Sequence, residues 1–474
     1  MATLSSISLN DVEAIGEENG EPQWLTQMRK DAFSDYSSLP AEVSPLYSKY
    51  SDANRLKPNN IQIPAKNVLY QPFEELNERL KEKEEGSSVL RIGTNINEIS
   101  LSNAHSQSGI IITDLNNGLK KFEDLIKTTL TTNKLRFAED KFLALEGAMF
   151  RGGLFIYIPK NLVVEHPIKL VNSLDNAGTS SVTRNIIVAG SGSKATVVQE
   201  IYSPPAATTN GNKTQQAYFE LLECHVGQNA SLEMVTLQAM DSKSVNFSNR
   251  KAFLGRDGRI SWYSGMFGSQ LSRYKIDSVM KGQGSIAEDV EIIFGVGDQS
   301  FDVTSNLIHD GNNSRGRVLV KSVMKDASKS LFKGMIKIGK GAKGSESYLA
   351  GHSILLDKGA KSDAIPGLEI ETNEVKATHS ASVAQMDESQ IFYLMSRGLN
   401  LESAKREIVS GFLEPLSRKM GSGIRAWINY LIENKWTGKS LMLKTDEAMA
   451  QILEVEKSRY HETQDIFEKH YKYR

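Results

Sequence analysis

Apolar positions recur along this chain at two periods, and the changes between them divide it in three. Over the first 140 or so residues the period is near four. Gln23 to Phe33 carries Trp24, Leu25, Met28 and Phe33 at helical spacing, and Gln71 to Glu84 sets Phe73, Leu76 and Leu80 on one side of a charged stretch. A linker bearing Pro, Ser and Tyr separates them. A third helix is predicted from Asp114 to about Thr132, with Leu115, Leu119, Phe122, Leu125 and Ile126 as its buried stripe. These read as scaffold helices of a region spanning 1–140.

From about Lys141 the period falls to two, in Leu154 to Ile158, Asn185 to Val188, Ala195 to Ile201 and Phe219 to Val226, which predicts strands. Turn signals then recur evenly. Gly282, Gly297, Gly311, Asp326, Gly341 and Gly359 are separated by 15, 14, 15, 15 and 18 residues, while Gly227, Gly255 and Gly282 are about twice as far apart. The text around the turns is alike, as in Gly-Ser-Lys-Ala (192–195), Gly-Gln-Asn-Ala (227–230), Lys-Asp-Ala-Ser (325–328) and Gly-Ala-Lys-Ser (359–362). A glycine-centred turn followed by an alternating strand exposes an apolar face that it cannot bury alone, so copies must stack. With roughly 30 residues per coil, a mainly β fold with a parallel β-helix over 141–386 is predicted. A β-sandwich has similar strand spacing. Over 200 residues without a domain break, and only 12 prolines in the chain, favour the coil stack.

Near Asp387 the period returns to that of a helix. Asp387 and Gln390 have the spacing of an N-cap and its N3 partner, Ile391, Phe392, Leu394 and Met395 follow, and Gly398 sits where a C′ glycine belongs. Asn400 caps a second helix through Ile408, Val409, Phe412 and Leu416. A third contains Trp427, Ile428, Leu431 and Ile432, and a charged fourth runs from about Asp446 to Tyr471. The region 387–474 is thus a closing set of four helices.

Composition narrows the function classes. The 474 residues are 39% hydrophobic and 24% charged, which suits packed domains. Lys plus Arg number 56 against 57 Asp plus Glu, so no overall field attracts nucleic acid or an acidic bilayer. One cysteine, Cys224, excludes internal disulfides, four-thiolate zinc sites and an iron–sulfur cluster held by this chain's thiolates alone. No apolar run approaches a membrane span, and the first residues lack both a basic and an apolar leader region. A cytoplasmic protein is expected.

Three glycine patterns invite a nucleotide reading and fail on context. Gly339, Gly341 and Gly344 lie between strands, Gly190, Gly192 and Ala195 lead into one, and Gly438-Lys439-Ser440 lacks the P-loop's earlier glycine, Glu433 standing there instead. No zinc-protease or nucleophile-elbow motif is present. Cys224 shares a strand face with Leu222 and Val226, opposite Glu223 and His225, and reads first as a packed thiol and second as a sulfur or iron ligand. His379 falls in the last strand-like segment, Leu368 to Ser382, just before the helix cap at Asp387, where a ring satisfied by a backbone carbonyl and a metal ligand are both open readings.

The segment from Leu355 to Phe412 resembles the carboxy-terminal signature of the SufB/SufD family of iron–sulfur cluster assembly proteins. Pro366, Leu368 to Ile370, His379, Phe392 to Leu394, Ser396 to Gly398 and Gly411-Phe412 carry the likeness, with Gly20 to Leu25, His309, Ser314 and Phe332 to Gly334 extending it. Ala360 falls near the SufB scaffold cysteine and Ser380 falls where SufB has a carboxylate, so the likeness is to the SufD branch. It departs from bacterial SufD wording in Ala377-Thr378-His379-Ser380, where Cys-Ser-His-Gly is common.

The resemblance implies a right-handed parallel β-helix between helical ends. It also implies a noncatalytic subunit that pairs with a SufB-like sibling or a second copy of itself and docks a SufC-like ABC ATPase. His379 is then the iron or cluster ligand at a subunit seam, for a transient cargo rather than a tightly bound cofactor. Phe392, Tyr393, Ser396, Arg397, Gly398 and Phe412 are the ATPase-docking residues. Two alternatives stand beside it: a homodimeric SufB-like scaffold using Cys224, and a β-helix carbohydrate enzyme, which needs paired carboxylates on an exposed strand face.

Overall fold

A computed structural model of the chain describes residues 2–45, 47–50, 55–64, 68–81, 86–205 and 214–444, together with Ile452 and Glu454. The amino-terminal part holds β1 (Ala2–Thr3), α1 (Leu9–Asn19), α2 (Gln23–Ser38), β2 (Gln62–Ile63), α3 (Glu74–Leu80), β3 (Ser88–Ile92) and β4 (Asn95–Ser100). It continues with α4 (Asn103–Gln107), β5 (Ile111–Asp114), α5 (Leu115–Thr132) and α6 (Lys141–Met149). Then come β6 (Gly152–Ile158), β7 (Ile168–Ser173), β8 (Ser181–Ala189), β9 (Lys194–Tyr202), β10 (Ala217–Val226), β11 (Ser231–Gln238), β12 (Val245–Leu254) and β13 (Arg259–Met266). The series ends with β14 (Leu271–Met280), β15 (Ile286–Gly295), β16 (Ser300–His309), β17 (Arg315–Met324), β18 (Lys329–Ile338), β19 (Glu346–Leu355), β20 (Lys361–Ile370) and β21 (Lys376–Gln385). Helices α7 (Glu388–Ser396), α8 (Leu401–Ser417) and α9 (Ser422–Thr437) follow.

From β6 to β21, even-numbered strands pair in parallel with even-numbered ones and odd with odd, which makes each consecutive pair one coil of a two-sheet β-solenoid. Eight coils stack this way. The first end is closed by antiparallel additions, β5 on β6 and β4 on β3. Among the described residues no strand lies beyond the last coil, β20 and β21.

One corner explains the recurring turn text. Asn161, Gly192, Asn229, Asp257, Gly284, Asn313 and Gly344 all have positive φ, between 53° and 71°. Each from Gly192 to Asn313 donates its N–H to the coil above, as Gly284 does to the Asn312 carbonyl (2.9 Å). A Cβ at Gly192, Gly284 or Gly344 would meet the Asn161, Asp257 or Asn313 side-chain oxygen of the coil below at 2.3, 2.2 and 2.3 Å. At these three positions only glycine leaves room for the side chain beneath, and Gly, Asn and Asp are the residue types that adopt the left-handed conformation most cheaply.

Among the described residues three large apolar cores result, with a small fourth cluster of Leu174, Ile201, Tyr218 and Met240. One fills the lumen, with Leu222, Cys224, Trp262, Val303 and Leu349 among its members. The second joins α1, α2, α5 and α6 to the outer face of the even-numbered sheet. The third packs α3, α8 and α9 on the outer face of the odd-numbered sheet, where Lys435 of α9 is anchored by Gln299 Oε1 at 2.5 Å and by the Phe267 carbonyl.

The helix expected from Asp114 forms as α5, capped by the Asp114 carboxylate on the Asn116 and Asn117 N–H groups and kinked at Phe122. Two expectations need correction. Lys141 to Met149 is a helix, not the first strand: Asp140 caps it, and eight of its nine residues are buried, so no clean period marks it. The region expected to be helical also contains β3, β4 and β5, short strands that belong to the solenoid sheets. Asp387 does cap α7, accepting from the Ser389 N–H and hydroxyl at 2.8 and 2.6 Å. Among the described residues no reciprocal bond from Gln390 completes a capping box. The helix expected from Asp446 to Tyr471 lies outside the described residues, Ile452 and Glu454 apart. No described helix is long and apolar enough to cross a membrane.

The lumen also holds charge. Asp289 and Glu291 point inward from β15, both fully buried, with the Ser305 hydroxyl donating to Glu291 Oε1 at 2.5 Å. Burial raises both carboxyls above the ordinary range, and repulsion from Asp289 raises Glu291 further, whereas hydrogen bonds from Ser305 and Glu291 partly offset the rise at Asp289. A folded-state value above the unfolded one favours the fold fully below about pH 4, and that contribution is lost as pH rises through the folded value. Each pH unit over which such a group stays protonated in the fold but ionises in the open chain costs about 1.4 kcal/mol. Buried neutral His225 and His309 act oppositely below about pH 6.5, so the window to compare is pH 7 to 9. Glu291→Gln is expected to raise the urea midpoint there and flatten its fall with pH; a parallel fall in both proteins contradicts this.

Candidate functional site

At the open coil, β20 and β21, the last rung of each sheet has no further strand partner among the described residues. In register, Trp262, Asp289, Val318, Leu349 and His379 form one column on the odd-numbered sheet. Trp262, Val318 and Leu349 belong to the lumen core, so His379 faces the mouth of the lumen directly above Leu349 and is exposed, with none of the described residues covering it. Its column neighbours on β21 are Ala377, Ala381 and Val383, and facing positions on β20 include Ala364, Leu368 and Ile370. Leu368, Ile370 and Val383 are 39%, 41% and 43% exposed although they occupy inward columns.

Backbone parity places His379 on the edge as well. The Lys376 N–H donates to the Ser345 carbonyl and the Met386 N–H to the Leu355 carbonyl. Even-numbered residues of β21 therefore face β19, and Ala377, His379, Ala381, Val383 and Gln385 leave their N–H and C=O groups on the open edge. That edge carries no charged side chain between Ala377 and Gln385. Among the described residues no hydrogen bond or ion pair reaches the His379 ring, and no three His, Cys, Asp or Glu side chains converge as metal ligands.

Cys224 sits elsewhere. It lies on β10, wholly buried in the lumen core, and burial pushes its thiol far above the ordinary range. Five coils, roughly 24 Å at strand spacing, separate it from the mouth. Glu223 and His225, on the opposite strand face as expected, are buried too, because the amino-terminal helices cover that side of the sheet. Arg184 pairs with Glu223 at 2.7 Å, and His225 stacks on Phe253.

The helix after the open coil has no buried residue. Phe392 is 74% exposed and Tyr393 56%, with Met395 and Leu401 beside them in sequence, an apolar surface that no described residue covers. Arg397 lies over the Tyr393 ring (5.2 Å), the Ser396 hydroxyl donates to the Tyr393 carbonyl (2.7 Å), and Gly398 takes the left-handed conformation (φ 99°) that stops the helix. Phe412 is different. It is half-buried on α8, beneath Lys321, whose Nζ donates to its carbonyl at 2.5 Å, so it fastens α8 to the solenoid.

Sequence reasoning named His379 and the α7 residues. It did not single out Leu368, Ile370 and Val383 as an exposed inward row. The signal was available, since all three fall on the alternation of β20 and β21, but exposure follows only from the absence of a ninth coil.

Comparison with known proteins covers almost the whole chain. A family model described as the SUF system FeS cluster assembly, SufBD core domain, matches residues 171–412, and one described as the SufBD protein N-terminal region matches 14–170. An iron–sulfur cluster assembly protein SufD of Bacillus subtilis is 29% identical over 443 residues, 92% of this chain and 99% of its own length. A SufBD family iron–sulfur cluster assembly protein of Staphylococcus saprophyticus is 29% identical over 330 residues, 70% of each chain, and one of Staphylococcus haemolyticus is 28% identical over 332, again 70% of each.

Proposed function

The chain belongs to the SufBD family of iron–sulfur cluster assembly proteins, and on that premise we propose that it is a noncatalytic SufD-like subunit that pairs through its open coil and docks an ABC-type ATPase on α7. It works in the cytoplasm. The observation that carries this reading is the asymmetry of the solenoid, closed by antiparallel strands at one end and open at the other, with His379 on the open edge. A SufB-like sibling extends the sheets there, covering Leu368, Ile370 and Val383. A second copy of the chain is the alternative occupant.

Iron, or a nascent cluster, is the cargo at the seam. An imidazole nitrogen from His379 supplies one ligand, and thiolates of the sibling supply the others, a mixed set that iron chemistry accepts. The Cys224 reading asks a sealed thiol to act at a seam five coils away, and its burial argues against it. The ATPase bears on Phe392, Tyr393 and Met395, and nucleotide binding moves the seam only to the extent that the docked helix is held differently in the two states of the motor.

Isolation of the native complex tests this. A SufB-like chain and an ABC ATPase are expected with it. Phe392→Asp, which places a charge in the uncovered apolar surface, is expected to weaken ATPase capture at least tenfold and leave the sibling bound. Copurification of neither partner, or full ATPase capture by the variant, overturns the assignment.

A further inference from the structure

A second concave surface lies on the outside of the odd-numbered sheet, away from the lumen. It is an open groove of about 780 Å³ running across β13, β15, β17, β19 and β21, about 19 Å at strand spacing. Two outward columns build it by register: Arg259, Ile286, Arg315, Glu346 and Lys376, and beside them Ser261, Glu288, Arg317, Tyr348 and Thr378.

Its charges do not cancel. Glu288 is held by Lys419, just past the end of α8, at 2.5 Å, and Glu346 by Lys376 at 3.4 Å. Among the described residues no carboxylate forms an ion pair with Arg259, Arg315 or Arg317, leaving three exposed guanidinium groups on one groove in a chain whose net charge is −1. Arg315 and Arg317 are two residues apart on one strand face, about 7 Å, and Arg259 is two rungs from Arg315, about 10 Å. Three forks within that span match a ligand with several negative charges on neighbouring oxygens, the geometry of a diphosphate. The floor adds Ile286 and the half-buried Tyr348 ring, with the Arg317 guanidinium 5.9 Å from the ring centre. That pair accepts a planar group by stacking.

We propose that this groove binds a phosphate-bearing small molecule with a planar ring, of the nucleotide class, its phosphates on Arg259, Arg315 and Arg317 and its ring against Tyr348. A groove of this volume falls in the usual range for such ligands. The proposal is independent of the assembly reading, since it uses side chains that point away from the lumen and from α7.

Titration of the purified full chain by calorimetry tests it, with ADP, inorganic pyrophosphate and sulfate as probes. Saturable ADP binding is expected, tighter than pyrophosphate and reduced at least tenfold in Arg315→Ser/Arg317→Ser. Tyr348→Ala is expected to bring ADP down to the pyrophosphate level. Circular dichroism of the arginine variant should match the parent, because both arginines are exposed and form no ion pair among the described residues. No saturation with ADP or pyrophosphate overturns the proposal, as does undiminished binding by the double variant. Equal binding of sulfate marks an adventitious ion only, and pyrophosphate binding as tight as ADP removes the ring contact.

Discussion

Arg250→Ala is expected to destabilise the solenoid by about 3–5 kcal/mol, read as a fall in the urea midpoint. Arg250 lies fully buried in the lumen, its guanidinium donating to Glu220 Oε2 (2.8 Å), Gln199 Oε1 (2.6 Å) and Thr236 Oγ1 (2.6 Å), over the Tyr274 ring at 4.8 Å. Glu220 also accepts from Asn185 at 2.7 Å, and Asn185 from Arg91 at 2.9 Å. The network ties β3, β8, β9, β10, β11 and β12 together. Removing the guanidinium leaves the Glu220 carboxylate buried without its nearest counter-charge and opens a void. The pair itself adds little beyond a well-packed neutral substitute, since desolvation offsets most of its attraction. Arg250→Met combined with Glu220→Gln is therefore expected to regain much of the loss. If Arg250→Ala melts like the parent, or the double variant melts lower still, the network is not holding the lumen.

That network marks the limit of what the sequence discloses. The turn spacing and strand alternation lead to stacked coils because both are local, and the Asp114, Asp387 and Asn400 caps are legible for the same reason. Period-two reading assigns charged positions to solvent, whereas Glu220, Glu291 and Arg250 point inward. Their partners come from neighbouring coils, as Arg250 meets Glu220 across 30 positions, and no local pattern reports that. Lys141 to Met149 was illegible for a related reason, since a helix buried on all sides has no period to show. Of the candidate site, the position of His379 before the Asp387 cap is visible in the sequence. Its place on an uncovered edge is not, because that depends on which coil is last.

The second large effect belongs to His379. Its ring is exposed above Leu349 at the lumen mouth, without a partner in its own chain among the described residues, and its backbone groups lie on the edge left for a sibling. Alanine keeps the edge donors and acceptors and matches its neighbours Ala377 and Ala381, so strand pairing and the fold are expected to survive His379→Ala. Under the proposed assignment the variant loses the ligand that His379 would bring to the seam, and an iron left with only the sibling's ligands would be held weakly and lost to solvent.

The direct test is the iron content of the intact complex, purified anaerobically with its sibling and ATPase, for the parent and for His379→Ala. Iron lost from the variant while both partners remain bound in parental ratio is the expected result. Iron retained at the parental level in a complex of unchanged composition contradicts the placement of this histidine at the seam.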